Sequence, residues 1–165
     1  MNRRISTFRA NAGFSLIELM IVLAIIGVLV TFSFPVYRDY IARTQVTVAL
    51  EEITPAKINI EEKFSHGVDS FEMAALNGNG AANAQGAGLS GNITSRCTGI
   101  SFAVEMTGTA SITCTLSGDR QIDGSKIRWS RAPNTTPGAI SIWTCDTNVA
   151  KNISPKNCNS NIAIF

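Results

Sequence analysis

Charge is scarce in this chain. Asp, Glu, Lys and Arg make up 16% of it against an apolar share of 45%, and the first third carries much of that imbalance. Histidine occurs once, as His66, with no partner pattern around it, and reads as a helix-end residue. The cysteines show no C-x-x-C spacing, so a zinc site lacks its usual ligand set. No G-x-S-x-G turn is present to carry a nucleophile. The stretch NGNGAANAQGAGLSG, residues 77–91, is rich in glycine but lacks the lysine and the strand–turn–helix setting of a phosphate cradle. It reads as a surface loop between helix and sheet. No catalytic residue, cofactor or metal is expected, and an enzyme is disfavoured. Excess positive charge is also missing. The net charge is +2, and taking the three arginines of the head from the 14 bases leaves 11 against 12 acids. The rest of the chain holds no surplus to grip a polyanion, so nucleic acid stays undecided as a partner. Trp129 and Trp143 fall in strand candidates and read as packing residues rather than a stacking platform.

At 165 residues the chain can build one domain with its own core plus an extra segment. Four cysteines, Cys97, Cys114, Cys145 and Cys158, all follow the apolar run at the N-terminus. An even count in a region outside the cytoplasm points to disulfides.

That run, GFSLIELMIVLAIIGVLVTFSFP, spans residues 13–35. The basic head MNRRISTFRANA precedes it, in the order of a secretory signal. No A-x-A-like site follows, so the run is expected to be retained. About 23 residues of helix from Phe14 to Val36 span roughly 35 Å, enough to cross a bilayer. Arg3, Arg4 and Arg9 favour a cytoplasmic N-terminus. Glu18 sits awkwardly in such a segment, because a carboxylate deep in a membrane costs a few kcal/mol. Ser15-Leu16-Ile17-Glu18 fits a capping box, which gives the acid a purely local use; a functional use competes evenly with it.

The combination of a basic head, Gly13, Phe14 and Glu18 in fixed register on a long apolar run resembles the class III signal of type IV pilins. FPVYRDYIARTQV strengthens the resemblance to type IVa major pilins through Pro35, Tyr37, Tyr40, Ala42, Arg43 and Gln45. The resemblance implies cleavage between Gly13 and Phe14 by a prepilin peptidase, with N-methylation of Phe14. Cleavage would place an ammonium within a turn of Glu18. In a bundle of parallel helices, Glu18 can then face the Phe14 amine of a neighbour and recover much of the cost of a dry charge. Gly27 and Pro35 bracket helix that is weakened, and in related filaments loses order on assembly. Pro155-Lys156-Asn157-Cys158 resembles the ending of the family's C-terminal disulfide loop, implying a Cys145–Cys158 bond and a loop used in subunit packing or adhesion.

Beyond Pro35, Ile41, Val48, Ile53, Ala56, Ile60 and Phe64 recur at roughly helical spacing, with Gly67 as a stop. Pro35 and Pro55 should bend this helix or remove a hydrogen bond. Residues 100–105, 111–116, 126–131 and 139–144 read as strands. The expected fold is therefore α+β, a pilin fold: a long N-terminal helix packed on an antiparallel sheet of about four strands, with a disulfide-closed C-terminal loop. Its expected parts are leader 1–13, transmembrane and polymerisation helix 14–36, amphipathic helix 37–66, connecting loop 67–99, and sheet with C-terminal loop 100–165. Cys97 and Cys114 pair by elimination, yet a hairpin centred near Gly108 sets Cys97 opposite a position near 119. Unless Gly99 lets the chain fold back, another connectivity applies.

The function implied is that of a major structural subunit of a type IV pilus, polymerising with itself. The subunit would pass through the inner membrane to an extracellular filament, driven by assembly machinery and cytoplasmic ATPases. Family roles include adhesion to host or other surfaces, twitching motility, biofilm formation and DNA uptake. A minor pilin or type II secretion pseudopilin shares the head. A monomeric signal-anchored binding module is the alternative from another class. Asn92-Ile93-Thr94 also fits an N-glycosylation acceptor.

Overall fold

The computed structural model describes residues 13–67, 70–133, 141–160 and 162. Arg3, Arg4 and Arg9 lie outside the described residues, as do positions 139 and 140 of the fourth expected strand. The chain divides into two units, Met1–Tyr37 and Arg38–Phe165.

Helix α1, Leu16–His66, runs unbroken through Pro35 and Pro55. Neither proline has an N–H to offer, so the carbonyls of Thr31 and Glu51 lose their helical donor without ending the helix. α1 stops at Gly67, whose φ of 65° is the left-handed conformation that glycine adopts without a Cβ penalty. Its N–H donates to the Phe64 carbonyl at 3.4 Å.

Within the second unit, α1 buries Ala42, Val46, Ala49, Ile53, Ala56 and Ile60. The steps alternate between four and three, so small and branched side chains alternate along one narrow stripe. The alanines allow close approach to the sheet, and Val46, Ile53 and Ile60 fill the gaps between them. Ile41 and Val48 are only half-buried. The expected stripe shares Ile53, Ala56 and Ile60 with the buried one but takes Ile41 and Val48 where the structure buries Ala42, Val46 and Ala49.

The sheet holds β1 (Cys97–Val104), β2 (Ala110–Leu116), β3 (Lys126–Arg131), β4 (Trp143–Thr147) and β5 (Cys158–Asn159). They lie in sequence order, with antiparallel pairs throughout except β4 with β5, which is parallel. Three cross-strand rows carry the core face: Ile100–Cys114–Ile127–Thr147, Phe102–Ile112–Trp129–Cys145 and Val104–Ala110–Arg131–Trp143. The alternate row, Ser101–Thr113–Arg128–Asp146, is polar. That period of two is what a sheet with one face on a core requires. Burying each large aliphatic side chain of the core face stabilises the unit by roughly 1.5–3 kcal/mol.

Several expectations are corrected. The sheet has five strands rather than about four, because β5 adds at the edge of β4. It begins at Cys97 rather than residue 100. Among the described residues the fourth strand lies at Trp143–Thr147, where Arg131, the last residue of β3, pairs with Trp143, and it leaves out Ser141 and Ile142 of the expected 139–144. The stretch 67–99 is not all loop. It contains α2, Ser70–Ala75, and α3, Ala81–Gly86; in the latter Ala81, Ala82, Ala84 and Gln85 supply helix propensity around Asn83, and Ala84 and the following Ala87 are buried.

The hairpin register also differs. Val104 pairs with Ala110, which centres the turn nearer 107, and an irregularity between Cys97 and Gly99 shifts Cys97 to face Leu116. Cys97 thereby becomes a diagonal neighbour of Cys114 on one face, with Cα atoms 5.5 Å apart, and the two form a disulfide.

Candidate assembly site

In the first unit the side chains from Phe14 to Val36 are exposed without exception. Phe14 is 76% exposed, and Leu16, Ile17, Leu19 and Met20 are exposed around the first turns. Among the described residues this is a helix long and apolar enough to cross a membrane, with no part of its apolar window buried. A segment apolar on all sides has no core face and must find lipid or another protein. Gly13 is exposed, with open space where a Cβ would sit. Pro35 is exposed within the helix.

Helix α1 starts directly after Ser15, whose carbonyl accepts the Glu18 N–H at 3.1 Å and the Leu19 N–H at 3.2 Å. Neither the Ser15 hydroxyl nor the Glu18 carboxylate makes a capping bond among the described residues. Glu18 lies in the first turn, exposed, where its charge complements the helix N-terminus, and its carboxylate has no hydrogen bond or ion pair among the described residues.

The second unit ties its connections to residues 38–66 of α1 through polar clamps. Arg38 donates to both Asp119 carboxylate oxygens, at 3.2 and 3.1 Å. The Asp119 N–H donates to Gln45 Oε1 at 2.8 Å. The Gln121 N–H, then Arg38, hold the Asp119 carboxyl below its ordinary range, against some desolvation. Gly118 closes this clamp, because a Cβ there would fall 2.3 Å from Gln45 Oε1. Higher on α1, Glu52 accepts from Thr94 Oγ1 at 2.5 Å, the Arg96 N–H at 3.1 Å and Ser95 Oγ. Thr94 is thereby engaged, and Asn92 Nδ2 donates to the Asn79 carbonyl at 2.7 Å, so both polar residues of the Asn92-Ile93-Thr94 acceptor pattern are occupied.

Near the end of α1 sits a charge that the strand pattern hid. Arg131 is 3% exposed on the core face of β3. Its Nε and Nη2 donate to Glu61 at 2.7 and 2.9 Å, and Nη1 donates to the Gly108 carbonyl. Its guanidinium lies 4.3 Å from the Phe64 ring centre, a stacked cation. Trp143 Nε1 donates to Glu61 at 2.9 Å, and Lys57 Nζ lies 4.4 Å from the Trp129 ring centre. The Arg131 hydrogen bond lowers the Glu61 pKa, desolvation opposes it, and Trp143, the Arg131 charge and Lys57 lower it further. Both tryptophans pack against the core from the half-buried margin. No sequence signal marked Arg131 as buried; the only hint was its inward parity with Ile127 and Trp129.

The C-terminal loop is closed by a Cys145–Cys158 disulfide across 13 positions. Its tip returns to α1: Asn152 Nδ2 donates to Asp39 at 2.8 Å, and the Asn152 carbonyl accepts from Arg43. On the outer sheet face Asp146 accepts from Ser130 at 3.0 Å and Asn159 at 3.1 Å. The structure thus gathers Arg38, Asp39, Arg43 and Gln45 of the FPVYRDYIARTQV motif with the turn and loop they hold. It leaves Phe14, Glu18 and Pro35 in the other unit, exposed.

An apolar helical stretch without a core face, in a chain whose second unit is a disulfide-closed α+β fold, calls for lipid or another protein around that stretch. A family model described as pilin (bacterial filament) matches residues 42–159. A second, the prokaryotic N-terminal methylation motif, matches residues 8–34. A type IV major fimbrial protein FimA of Dichelobacter nodosus is 34% identical over 161 residues, covering 88% of this chain and 95% of the relative. A probable minor fimbrial protein of the same organism is 30% identical over 160 residues, covering 88% and 93%. A fimbrial protein of Pseudomonas aeruginosa is 47% identical over 66 residues, covering 40% and 43%. The chain belongs to the pilin family, as a type IV pilin with a class III signal.

Proposed function

We propose that this pilin is the major structural subunit of a type IV pilus, processed between Gly13 and Phe14 by a prepilin peptidase and N-methylated on Phe14. Residues 14–36 anchor the precursor in the inner membrane. After processing they pack against the same residues of other copies in an extracellular filament. Glu18 faces the Phe14 amine of a neighbouring subunit, which fixes axial register at subunit addition. Pro35, without an amide proton, loosens the helix where assembly requires it to give. The disulfides hold the second unit closed outside the cell, and the Cys145–Cys158 loop contributes to packing between subunits. Extension and retraction come from membrane assembly machinery and cytoplasmic ATPases; the subunit's role is structural rather than catalytic. Adhesion and twitching motility follow from such a filament, and DNA uptake is a further role within its reach.

The observation that carries this reading is the register of Gly13, Phe14 and Glu18 on a helix apolar on every side, with a carboxylate that has no partner among the described residues. Mass spectrometry of sheared surface filaments tests it. A dominant protein beginning at methylated Phe14 is expected. A protein beginning at Met1 and confined to the membrane fraction would contradict the reading, and a processed protein present only in trace would assign it to the minor subunits.

A further inference from the structure

The sequence NGNG places two Asn-Gly pairs back to back, Asn77-Gly78 and Asn79-Gly80. Asn-Gly is a chemically fragile pair. The glycine nitrogen attacks the asparagine Cγ, because no Cβ on the following residue obstructs it. A Gly N–Asn Cγ bond forms, the Cγ–Nδ2 bond breaks, and ammonia leaves with the proton from the glycine nitrogen. Water then opens the resulting succinimide at either of its two ring C–N bonds, to aspartate or isoaspartate. The attack needs a glycine N–H released from other partners and a carboxamide free to rotate onto it.

The fold treats the two pairs differently. In Asn77-Gly78 both reacting groups are held. Asn77 Nδ2 donates to the Val104 carbonyl at 3.0 Å and Oδ1 accepts the Val104 N–H at 2.5 Å. The Gly78 N–H donates to the Phe102 carbonyl at 3.0 Å, and the Phe102 N–H returns to Gly78 at 2.7 Å. This pair works as an added piece of sheet along the edge of β1. In Asn79-Gly80 only the nucleophile is held. Asn79 is exposed and its side chain makes no hydrogen bond among the described residues. The Gly80 N–H is occupied by one acceptor, Asn83 Oδ1, at 2.9 Å. Asn83 is fixed for this by its own donors, at 2.9 Å to the Ala75 carbonyl and 2.8 Å to the Asn77 carbonyl.

We propose that Asn79 is a site of spontaneous deamidation in the folded protein, that Asn83 sets its rate by holding the Gly80 N–H, and that Asn77 is protected by its place on the sheet edge. The conversion adds a negative charge to an exposed loop and, in its isoaspartate form, an extra methylene to the backbone. A surface built from many copies would therefore acquire charge with age at one position per subunit.

The test uses the full-length chain in detergent micelles, aged in mildly alkaline buffer and mapped by peptide mass spectrometry for acid and isoaspartate at both positions. Asn79 should lose its amide on the order of tenfold faster than Asn77, the factor that ~1.4 kcal/mol of additional hydrogen bonding corresponds to. In denaturant the two rates should converge. Asn83→Ala should speed the reaction at Asn79 several-fold and leave Asn77 slow, which makes Asn77 an internal reporter of an intact loop. Equal rates at the two asparagines in the folded chain would overturn the proposal. So would an unchanged rate at Asn79 in Asn83→Ala, or acceleration of Asn77 and Asn79 together.

Discussion

Residues 16–36 and residues 38–66 share one helix but bury in different ways. In the second stretch the buried positions run Ala42, Val46, Ala49, Ile53, Ala56 and Ile60, a single stripe, while Asp39, Arg43, Glu52 and Glu61 on its other positions are spent on named loop and strand partners. In the first stretch no position is buried, no stripe exists, and the one acid has no partner among the described residues. The difference teaches how to tell a helix that serves its own domain from one that serves an assembly. A stripe with partnered polar residues means the partner is in the same chain. Apolar surface on all sides with a spare charge means that it is not.

The sharpest way to break the comparison is to remove that charge. Glu18→Ala should reduce filament in the sheared surface fraction to near nothing while total subunit, measured by immunoblot, stays unchanged. Normal filament yield would mean that the acid does not set register. Next in size is a paired truncation. Ile53→Ala should destabilise the second unit by ~2–5 kcal/mol in denaturant unfolding followed by tryptophan fluorescence. Ile25→Ala, at an exposed position, should leave the same transition where it was. Removing the C-terminal staple with Cys145→Ser and Cys158→Ser together should cost ~3 kcal/mol for a loop of this length, read from the shift of that transition.

Smaller effects follow at the clamps. Glu61→Ala strands the buried Arg131 and should cost ~1–2 kcal/mol, less than a fully buried pair because Glu61 keeps 38% of its side chain in solvent. The pH dependence is smaller still. Glu61 and Asp119 both have folded pKa values below their ordinary ones, so each binds its proton more readily when unfolded. Their contribution is complete above the unfolded values near ~4 and is lost as pH falls through the folded ones. A melting-temperature series should therefore be flat in these groups above pH ~5 and fall below ~4, with Glu61→Gln flattening part of that fall.

Much of this division was legible in the sequence, because hydropathy and helical period are local properties. The apolar run, the long helix to Gly67 and strand Lys126–Arg131 follow from residues that act where they stand. What was not legible depends on contacts across the chain. The first part of the helix stripe includes Ala42 and Ala49, whose small size matters only once a sheet lies against them. Helix α3 sits in a stretch whose glycines and asparagines read as loop, and it is held by Asn83. Arg131 is inward because Glu61, 70 positions earlier, meets it there. Cys97 meets Cys114 because the strand slips between Cys97 and Gly99, a register change that composition does not encode. At the proposed assembly site, Gly13, Phe14 and Glu18 were singled out through their resemblance to the class III signal, whereas the partner proposed for Glu18 belongs to another copy, which a single chain does not contain.

The most direct test is imaging of the purified filament at atomic detail. The account predicts a subunit that begins at Phe14, with the Glu18 carboxylate within about 4 Å of a Phe14 nitrogen on an adjacent copy. A filament in which Glu18 lies far from every N-terminal nitrogen, or in which residues 1–13 are still attached, would contradict it.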